Sequence, residues 1–80
     1  MITVNKIKVD ENVTLLNGFD DALIGVTKDK RAIYSMSDMI DVLCKRDGMF
    51  YDEAYECIDY NVLNALPNFK NQPIIINDLD

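Results

Sequence analysis

Histidine is absent from the 80-residue sequence, which removes the usual general base, the usual proton shuttle and the commonest zinc ligand. A Ser-His or Cys-His nucleophile pair therefore cannot be built. The three glycines, Gly18, Gly25 and Gly48, lie too far apart for a phosphate-binding loop. Adjacent carboxylates such as Asp20-Asp21 could support hydrolysis or hold a divalent metal, but such pairs are expected by chance in an acidic chain. We therefore predict no catalytic, cofactor or metal site, and a protein that is not an enzyme.

Basic residues are also few: eight Lys and Arg stand against 14 Asp and Glu, for a net charge of -6. Direct nucleic-acid binding requires a concentrated basic surface, so this charge argues against it. No apolar run is long enough to span a membrane, and the N-terminus does not resemble a secretion signal. We predict one soluble, cytoplasmic domain over residues 1–80, whose acidity serves solubility or docking on a basic partner.

Only two cysteines are present, Cys44 and Cys57, and they fit neither a zinc site nor a CxxC redox pair. Both fall in predicted helices beside the apolar stripe. We expect them to be reduced and partly buried, because no secretion signal precedes them. A disulfide between the two helices is the alternative.

Strand patterns occupy the first part of the chain. The segment ITVNKIKV is rich in β-branched residues and alternates, and a shift in its apolar phase between Val4 and Ile7 predicts a bulge or an edge strand. A loop with an Asn-Gly turn signal follows. The segments ALIGVTK and RAIYS are then predicted to form two strands joined by a short charged turn.

The alternation in the segment ALIGVTK predicts which side chains share a face. Ala22, Ile24 and Val26 are expected on one side of the sheet and Leu23 on the other. Gly25 in the middle of the strand predicts a bulge or the close approach of another element.

The first helix is predicted to begin at Ser35, where Ser-x-x-Asp is a capping sequence. On the far face Asp41 and Lys45 are spaced for an ion pair, and Gly48 supplies a left-handed helix end. At about 100° per residue, the apolar residues share one face. These residues are Met36, Met39, Ile40 and Leu43.

A second helix is predicted from Tyr51 to about Leu63, with Pro67 at or beyond its end. The segment PIIIND follows as a strand, and its three isoleucines predict that both of its faces are covered. The order β-β-β-α-α-β predicts an α+β fold: a small antiparallel or mixed sheet of three to four strands, with two helices packed on one face. The buried stripe of the second helix is expected to be Ala54, Ile58, Val62 and Ala65.

Acidic residues recur on the outer side of this second helix. Asp52, Glu56 and Asp59 align at i, i+4 and i+7, and Tyr51 and Tyr60 are placed for partial exposure. These five residues form the candidate partner-binding site, because tyrosines beside acids can form a protein-binding surface. The alternative is an ordinary solvated helix face.

Two other residues of the helix are expected to have structural roles. Tyr55 is expected to pack against the body of the protein. Asn61, at the edge of the apolar stripe, is expected to be buried and to bond a nearby backbone group, which would tie the helix to the sheet.

Several short motifs occur in a fixed order between Phe19 and Ile76: DDALIGV, AIYS before a helix, DGMFYDEAYECIDYN and a final PIII. In these motifs the chain resembles a family of small, uncharacterised proteins of tailed bacteriophages and bacterial genomes, with D-A-I-I-G-V and D-G-M-[S/T]-Y-E-E-A motifs. The family has no established activity, so the resemblance implies a phage origin and an accessory role. The matching positions are Asp21, Ala22, Gly25, Asp47, Gly48, Met49, Tyr51, Glu53, Ala54, Tyr60 and Asn61.

The chain departs from the family in two places. Phe50 stands where the family has a Ser or Thr cap, which removes a hydroxyl cap worth about 1 kcal/mol. The segment after Asn64, ALPNFKNQP, lacks the family's glycine-rich turn before the last strand. A function located in that turn would differ in this protein.

The leading hypothesis is a small, non-enzymatic phage accessory protein in the host cytoplasm. It would bind a basic patch of a host or phage protein through the acidic helix face, and act by steric blocking or electrostatic docking. One alternative is a nucleic-acid mimic that inhibits a host enzyme or defence complex. Another is a self-associating structural or regulatory module, a homodimer formed by the edge of ITVNKIKV.

Overall fold

The computed structural model describes residues 1–80 and contains five strands, two α-helices and two short 3-10 helices. The strands are β1 (Ile2–Val4), β2 (Ile7–Val9), β3 (Leu23–Val26), β4 (Ala32–Ser35) and β5 (Ile74–Ile76). The helices are α1 (Met36–Asp47) and α2 (Tyr51–Asn61), with 3-10 helices at Asp20–Ala22 and Leu63–Asn68.

The strands form two small sheets. β1 and β2 make an antiparallel pair, and the other sheet has the order β3-β4-β5, with β4 antiparallel to β3 and parallel to β5. A parallel neighbour requires a long crossover, which α1 and α2 supply between β4 and β5. The predicted α+β fold with a small mixed sheet and two helices is confirmed, and the N-terminal segment adds a separate two-stranded sheet.

The segment ITVNKIKV is a hairpin, so the prediction of one bulged or edge strand is wrong. Asn5 and Lys6 form its two-residue turn with φ angles of 49° and 68°, the positive values that a type I′ turn requires at both positions. The shift in apolar phase therefore marks a reversal of the chain. The Asn5 amide also donates to the carbonyls of Asp21 (3.3 Å) and Leu23 (2.9 Å), which attaches the hairpin to β3.

β3 and β4 lie where the sequence predicts them, and the irregularity expected at Gly25 is confirmed, since their register shifts between Leu23 and Gly25. The predicted facing is partly wrong. Leu23 is fully buried and Ile24 is 48% exposed, on opposite sides as predicted, but Val26 packs on the core and does not share the face of Ile24. The bulge interrupts the alternation of side chains, so a period of two counted across it wrongly places Val26 on the face of Ile24.

α1 has the predicted caps. The Ser35 hydroxyl accepts a hydrogen bond from the Asp38 N–H at 3.1 Å, and Gly48 ends the helix with a φ of 68°. The Asp41 and Lys45 side chains form the predicted ion pair, at 2.8 Å. The predicted apolar face is buried, namely Met36, Met39, Ile40 and Leu43.

One cluster of 15 buried residues forms the core, with members from both sheets, the segment between them and both helices. Tyr34 on β4 is its largest fully buried side chain. The Tyr34 hydroxyl accepts a hydrogen bond from the Leu16 N–H at 2.8 Å, and burial raises the pKa of this tyrosine. The bond ties the segment before β3 to the centre of the sheet.

The substitution Tyr34→Phe is expected to destabilise the protein by about 1–3 kcal/mol, because it leaves the buried Leu16 N–H without a partner. Urea denaturation measures this loss. Tyr60→Phe is the matched control, since the exposed Tyr60 hydroxyl makes no hydrogen bond and its removal should leave stability unchanged. Equal effects of the two substitutions would contradict the role assigned to the buried hydroxyl.

α2 begins at Tyr51 as predicted but ends at Asn61, short of the predicted Leu63. Pro67 lies in the 3-10 helix that follows. Proline has no N–H to donate, and its ring would clash with the carbonyl four residues back, that of Leu63. The chain therefore changes to the tighter 3-10 helix before the proline.

The predicted stripe of α2 is only partly buried. Ala54 and Ile58 are fully buried, whereas Val62 and Ala65, beyond the end of the α-helix, are half-buried. The inward face of α2 therefore contains two anchoring residues rather than four.

Asn61 is exposed, so the prediction that it is buried and bonded to backbone is wrong. Its side-chain nitrogen contacts only the Cys57 Sγ, at 3.5 Å. Cys44 and Cys57 are free and half-buried, as the sequence predicts, and no disulfide joins the helices.

β5 is an edge strand of its sheet. The prediction that both of its faces are covered is wrong, because one face is exposed at Ile76. Ile75 packs against the core, but Ile76 is exposed. Beyond the strand the Asp78 carboxylate accepts hydrogen bonds from the Ser35 hydroxyl (2.5 Å), the Ser37 hydroxyl (2.9 Å) and the Ser37 N–H (2.8 Å). The C-terminal segment is thus attached to the N-terminus of α1, where the helix dipole favours negative charge.

The pH dependence of stability should report this attachment. Hydrogen bonds from the Ser35 hydroxyl and the Ser37 N–H lower the pKa of Asp78 from 3.8 to about 2. The stabilisation that a lowered carboxyl pKa provides is complete above about pH 4 and is lost as the pH falls to about 2. Asp78→Ala should therefore be less stable than the parent protein at pH 7, by a margin that disappears near pH 2.

Urea denaturation between pH 7 and about pH 2 tests this prediction. Asp80→Ala is the matched control, because no hydrogen bond or ion pair of the Asp80 side chain is present. A stability difference for Asp78→Ala that persists unchanged at acid pH would contradict the role given to its carboxylate.

Candidate functional site

α2 packs on α1 through Ala54 and Ile58, which leaves its opposite side facing solvent. Phe50, the residue before the helix, provides no side-chain cap, as the departure from the family motif predicts. The Glu53 carboxylate accepts the Phe50 N–H instead, at 3.1 Å. This bond fixes the start of the helix and hence the direction of the side chains in its first turn.

The five predicted partner-binding residues all lie on the exposed part of α2. Tyr60 is 75% exposed and Tyr51 is 52% exposed, and the carboxylates of Asp52, Glu56 and Asp59 are exposed as well. At 3.6 residues per turn the five span about 180° around the helix, with the acids between the two tyrosines. We call these five residues the acidic-tyrosine surface.

The three carboxylates of this surface have no partner within the chain. None of them takes part in a hydrogen bond, and the three ion pairs of the protein all lie outside α2. No lysine or arginine occurs between Arg46 and Lys70. The surface is therefore uniformly acidic, and a cation that neutralises it must come from another molecule.

Two shallow grooves flank Glu56, one on each side. The larger, of about 500 Å³, is lined by Met49, Glu53, Glu56, Cys57, Asp59 and Tyr60. The smaller, of about 350 Å³, is lined by Tyr51, Asp52, Tyr55 and Glu56. Each groove combines carboxylates with a tyrosine ring. A lysine or arginine side chain fits this combination, since its aliphatic stem can lie on apolar surface while its charged end meets a carboxylate or ring.

Two aromatic residues join this region although the sequence did not assign them to it. Tyr55, expected to pack, is 38% exposed, and Phe50, noted only as a missing cap, is 80% exposed. The i, i+4 spacing of Tyr51 and Tyr55 was the available signal. Tyr55 is exposed because the buried arc of α2 is narrow, with only Ala54 and Ile58 fully covered.

A more voluminous groove, of about 670 Å³, lies between the 18–21 segment and α1. Its basic side chains already have partners. Lys45 pairs with Asp41, and the Arg46 guanidinium donates to the Gly18 carbonyl at 2.7 Å and lies 5.9 Å from the Phe19 ring centre. No three Asp, Glu or Cys side chains in the protein are grouped to hold a metal ion. The basic side chains that line this groove are therefore already bonded, and Arg46 connects the 18–21 segment to α1.

No helix of the protein has both the length and the apolar character needed to cross a bilayer. Comparisons with protein-family models, curated proteins and solved structures found no match. The resemblance to the phage family therefore stays a prediction that rests on the short motifs. The surface of α2 is the feature from which a function can be argued.

Proposed function

We propose that this protein is a non-enzymatic binding module that docks on a basic patch of another protein through the acidic-tyrosine surface. One observation carries the proposal: Asp52, Glu56 and Asp59 are exposed, have no partner within the chain, and lie between two exposed tyrosines. Carboxylates beside accessible aromatic rings suit a protein surface rich in lysine and arginine.

Helix stability does not explain these acids. Asp52 lies in the first turn, where the helix dipole favours it, but Asp59 lies in the last turn, where a cation would be favourable and none is present. Asp52 and Glu56 are like charges at i, i+4, a spacing that destabilises a helix. A partner that brings cations to this surface would remove the repulsion. The charges that destabilise the free helix would therefore form favourable contacts in the complex.

The geometry also indicates how the partner would be held. Uniform negative charge on α2 steers a basic surface toward it, so association should be fast at low salt and slow at high salt. On contact, the grooves on either side of Glu56 receive lysine or arginine side chains. Tyr51 and Tyr60 border these grooves and supply the apolar area that electrostatic contacts lack.

The resemblance to the phage family supports a more specific form of this proposal. In that form the protein is a phage accessory protein in the host cytoplasm, and its partner is a host or phage protein whose activity it blocks. If the partner's basic patch is also its nucleic-acid site, the protein acts as a nucleic-acid mimic. Displacement of the partner's nucleic acid distinguishes the mimic from a simple docking module.

An affinity pull-down of the tagged protein from bacterial lysate, at about 50 mM and about 500 mM salt, tests the proposal, because salt screens contacts between exposed charges. We expect one stoichiometric partner at low salt that is released at high salt. A partner retained equally at both concentrations would contradict docking through exposed carboxylates.

A further inference from the structure

Phe50, the residue before α2, has the most exposed aromatic side chain of the protein, at 80%. It does not stand alone. Four of the seven aromatic residues of the chain lie between Phe50 and Tyr60, and all four are exposed. The exposed aromatic area of the protein is therefore concentrated beside the carboxylates of α2.

Helix formation does not explain a phenylalanine at this position. The residue before a helix is favourably Ser, Thr, Asp or Asn, whose side-chain oxygen accepts an N–H of the first turn. Phe50 has the extended backbone of a cap residue, with φ of -75° and ψ of 160°, but its ring accepts no such bond. A serine here would complete a capping box with Glu53. Since the ring also lies largely outside the core, the fold gains little from it.

The backbone on both sides of the ring is fixed. The Phe50 N–H donates to the Glu53 carboxylate at 3.1 Å, and the Phe50 carbonyl accepts the Ala54 N–H at 2.9 Å. Met49, the preceding residue, packs against the core. An exposed ring on a fixed backbone loses little conformational freedom when a partner covers it. Phe50 is therefore preorganised for a contact outside the chain.

Phe50 adjoins both grooves of the acidic-tyrosine surface. Met49 on one side of it lines the larger groove, and Tyr51 on the other side lines the smaller one. A partner that places cations in both grooves meets the ring at the N-terminal end of this surface. Cations can pair with the carboxylates, but the apolar area of the ring is removed from water only by apolar side chains.

We propose that Phe50 anchors the complex, and that the basic patch of the partner carries apolar side chains, beside its lysines and arginines, that enclose the Phe50 ring. This inference rests on the proposed function and narrows the partner from any basic surface to one that is both basic and apolar. The charges of the patch match the carboxylates, and its apolar side chains match the ring. The carboxylates then govern the rate of association, and the ring governs the rate of dissociation.

Two synthetic basic peptides of equal length and charge test the proposal. One has leucines between its lysines and arginines, and the other has glutamine in place of each leucine. At about 50 mM salt, which leaves charge contacts largely unscreened, fluorescence anisotropy should show that the parent protein binds the leucine peptide about tenfold more tightly. Phe50→Ala should lower the affinity for the leucine peptide about tenfold and leave the affinity for the glutamine peptide unchanged.

Phe50→Ser separates binding from stability. It should raise the melting temperature by about 4–8 °C, because serine caps the helix. It should nevertheless lose as much affinity for the leucine peptide as Phe50→Ala does. A variant that is more stable and binds less tightly cannot owe the loss to unfolding. Ile2→Ser, which removes an exposed apolar side chain from β1, is the matched control and should change neither affinity.

Equal affinities of the parent protein for the two peptides would overturn the inference. Unchanged binding of the leucine peptide by Phe50→Ala and Phe50→Ser would also overturn it, as would an equal loss in Ile2→Ser. These results leave docking through carboxylates intact. Binding of both peptides at parent affinity by the variant with lysine at Asp52, Glu56 and Asp59 would instead contradict the proposed function. A parent protein that binds neither peptide would contradict both.

Discussion

Replacing Asp52, Glu56 and Asp59 together by lysine is expected to abolish capture of the partner while leaving the protein folded. The three side chains are exposed and make no hydrogen bond or ion pair in the chain, so the substitution removes only the helix-dipole interaction of Asp52, worth about 0.3–1 kcal/mol. In the complex it places like charges against each other, which costs several kcal/mol and corresponds to a loss of affinity of about 100-fold or more. Pull-down at low salt and thermal denaturation of the same variant measure the two effects.

A second triple variant tests whether the acidic-tyrosine surface or the net charge of the protein governs binding. Lysine at Glu11, Asp20 and Asp21, three exposed acids outside α2, makes the same charge change, since each replacement adds two positive charges. Both variants go from net -6 to zero. Only the α2 variant should lose the partner. Equal loss in both would mean that total charge, rather than the acidic-tyrosine surface, governs binding, and retention in both would end the assignment.

Ile58→Ala is expected to have the largest effect on stability, a loss of about 2–5 kcal/mol. Ile58 is fully buried and is one of only two fully buried residues that hold α2 against the body. Ala54, the other fully buried residue of the helix, is too small to fill the cavity left by its side chain. For a domain this small, such a loss is a large part of the total free energy of unfolding.

Urea denaturation measures the loss of stability, and two further substitutions provide values with which to compare it. Ile58→Val should cost about 0.5–1.5 kcal/mol, since it removes a single methyl group. Tyr60→Ala, on the exposed side of the same helix, should change stability by less than about 0.5 kcal/mol although it removes a larger side chain. If Tyr60→Ala proved as destabilising as Ile58→Ala, the assignment of one structural and one binding side to α2 would be wrong.

The two predictions divide α2 by function. The Ile58 side determines whether the helix is present, and the acidic-tyrosine side determines what it binds. A mutation on the first side that reduces capture should do so in proportion to the unfolded fraction. A mutation on the second side should reduce capture in a fully folded protein.

The first helix shows how much local sequence determines. Ser35 caps it through a bond to the N–H three residues on, and Gly48 ends it in the left-handed conformation. Its ion pair joins residues four apart. These contacts span one turn of helix, so residue type and spacing are enough to predict them.

The wrong predictions concern residues whose conformation or burial depends on contacts with distant segments, or on a bulge that interrupts the alternation of a strand. Asn5 and Lys6 adopt positive φ angles that their residue types permit but do not require, and bonds from Asn5 to the β3 region hold the turn in place. Ile24 and Val26 do not share a face, although strict alternation predicts it, because a bulge shifts the register between Leu23 and Gly25.

The exposure of Tyr55 and Asn61 follows the same rule. Whether a residue near the edge of a helix stripe is covered depends on the width of the neighbouring element, and the pattern of α2 contains no information about α1. The candidate site is a similar case. The alignment of Asp52, Glu56 and Asp59 is visible in the sequence, but the grooves on either side of Glu56 require the folded chain.

The sequence by itself determined the α+β class, the caps and buried face of α1, the start of α2 and the acidic row along it. These follow from the periodic spacing of apolar and charged residues and from bonds between residues a few positions apart. Only the tertiary structure decided that β5 is parallel to β4 at an open edge, that Asp78 caps α1 from 41 residues away, and that no cation of the chain reaches the acidic row. These depend on where distant segments meet, which packing of the whole core decides.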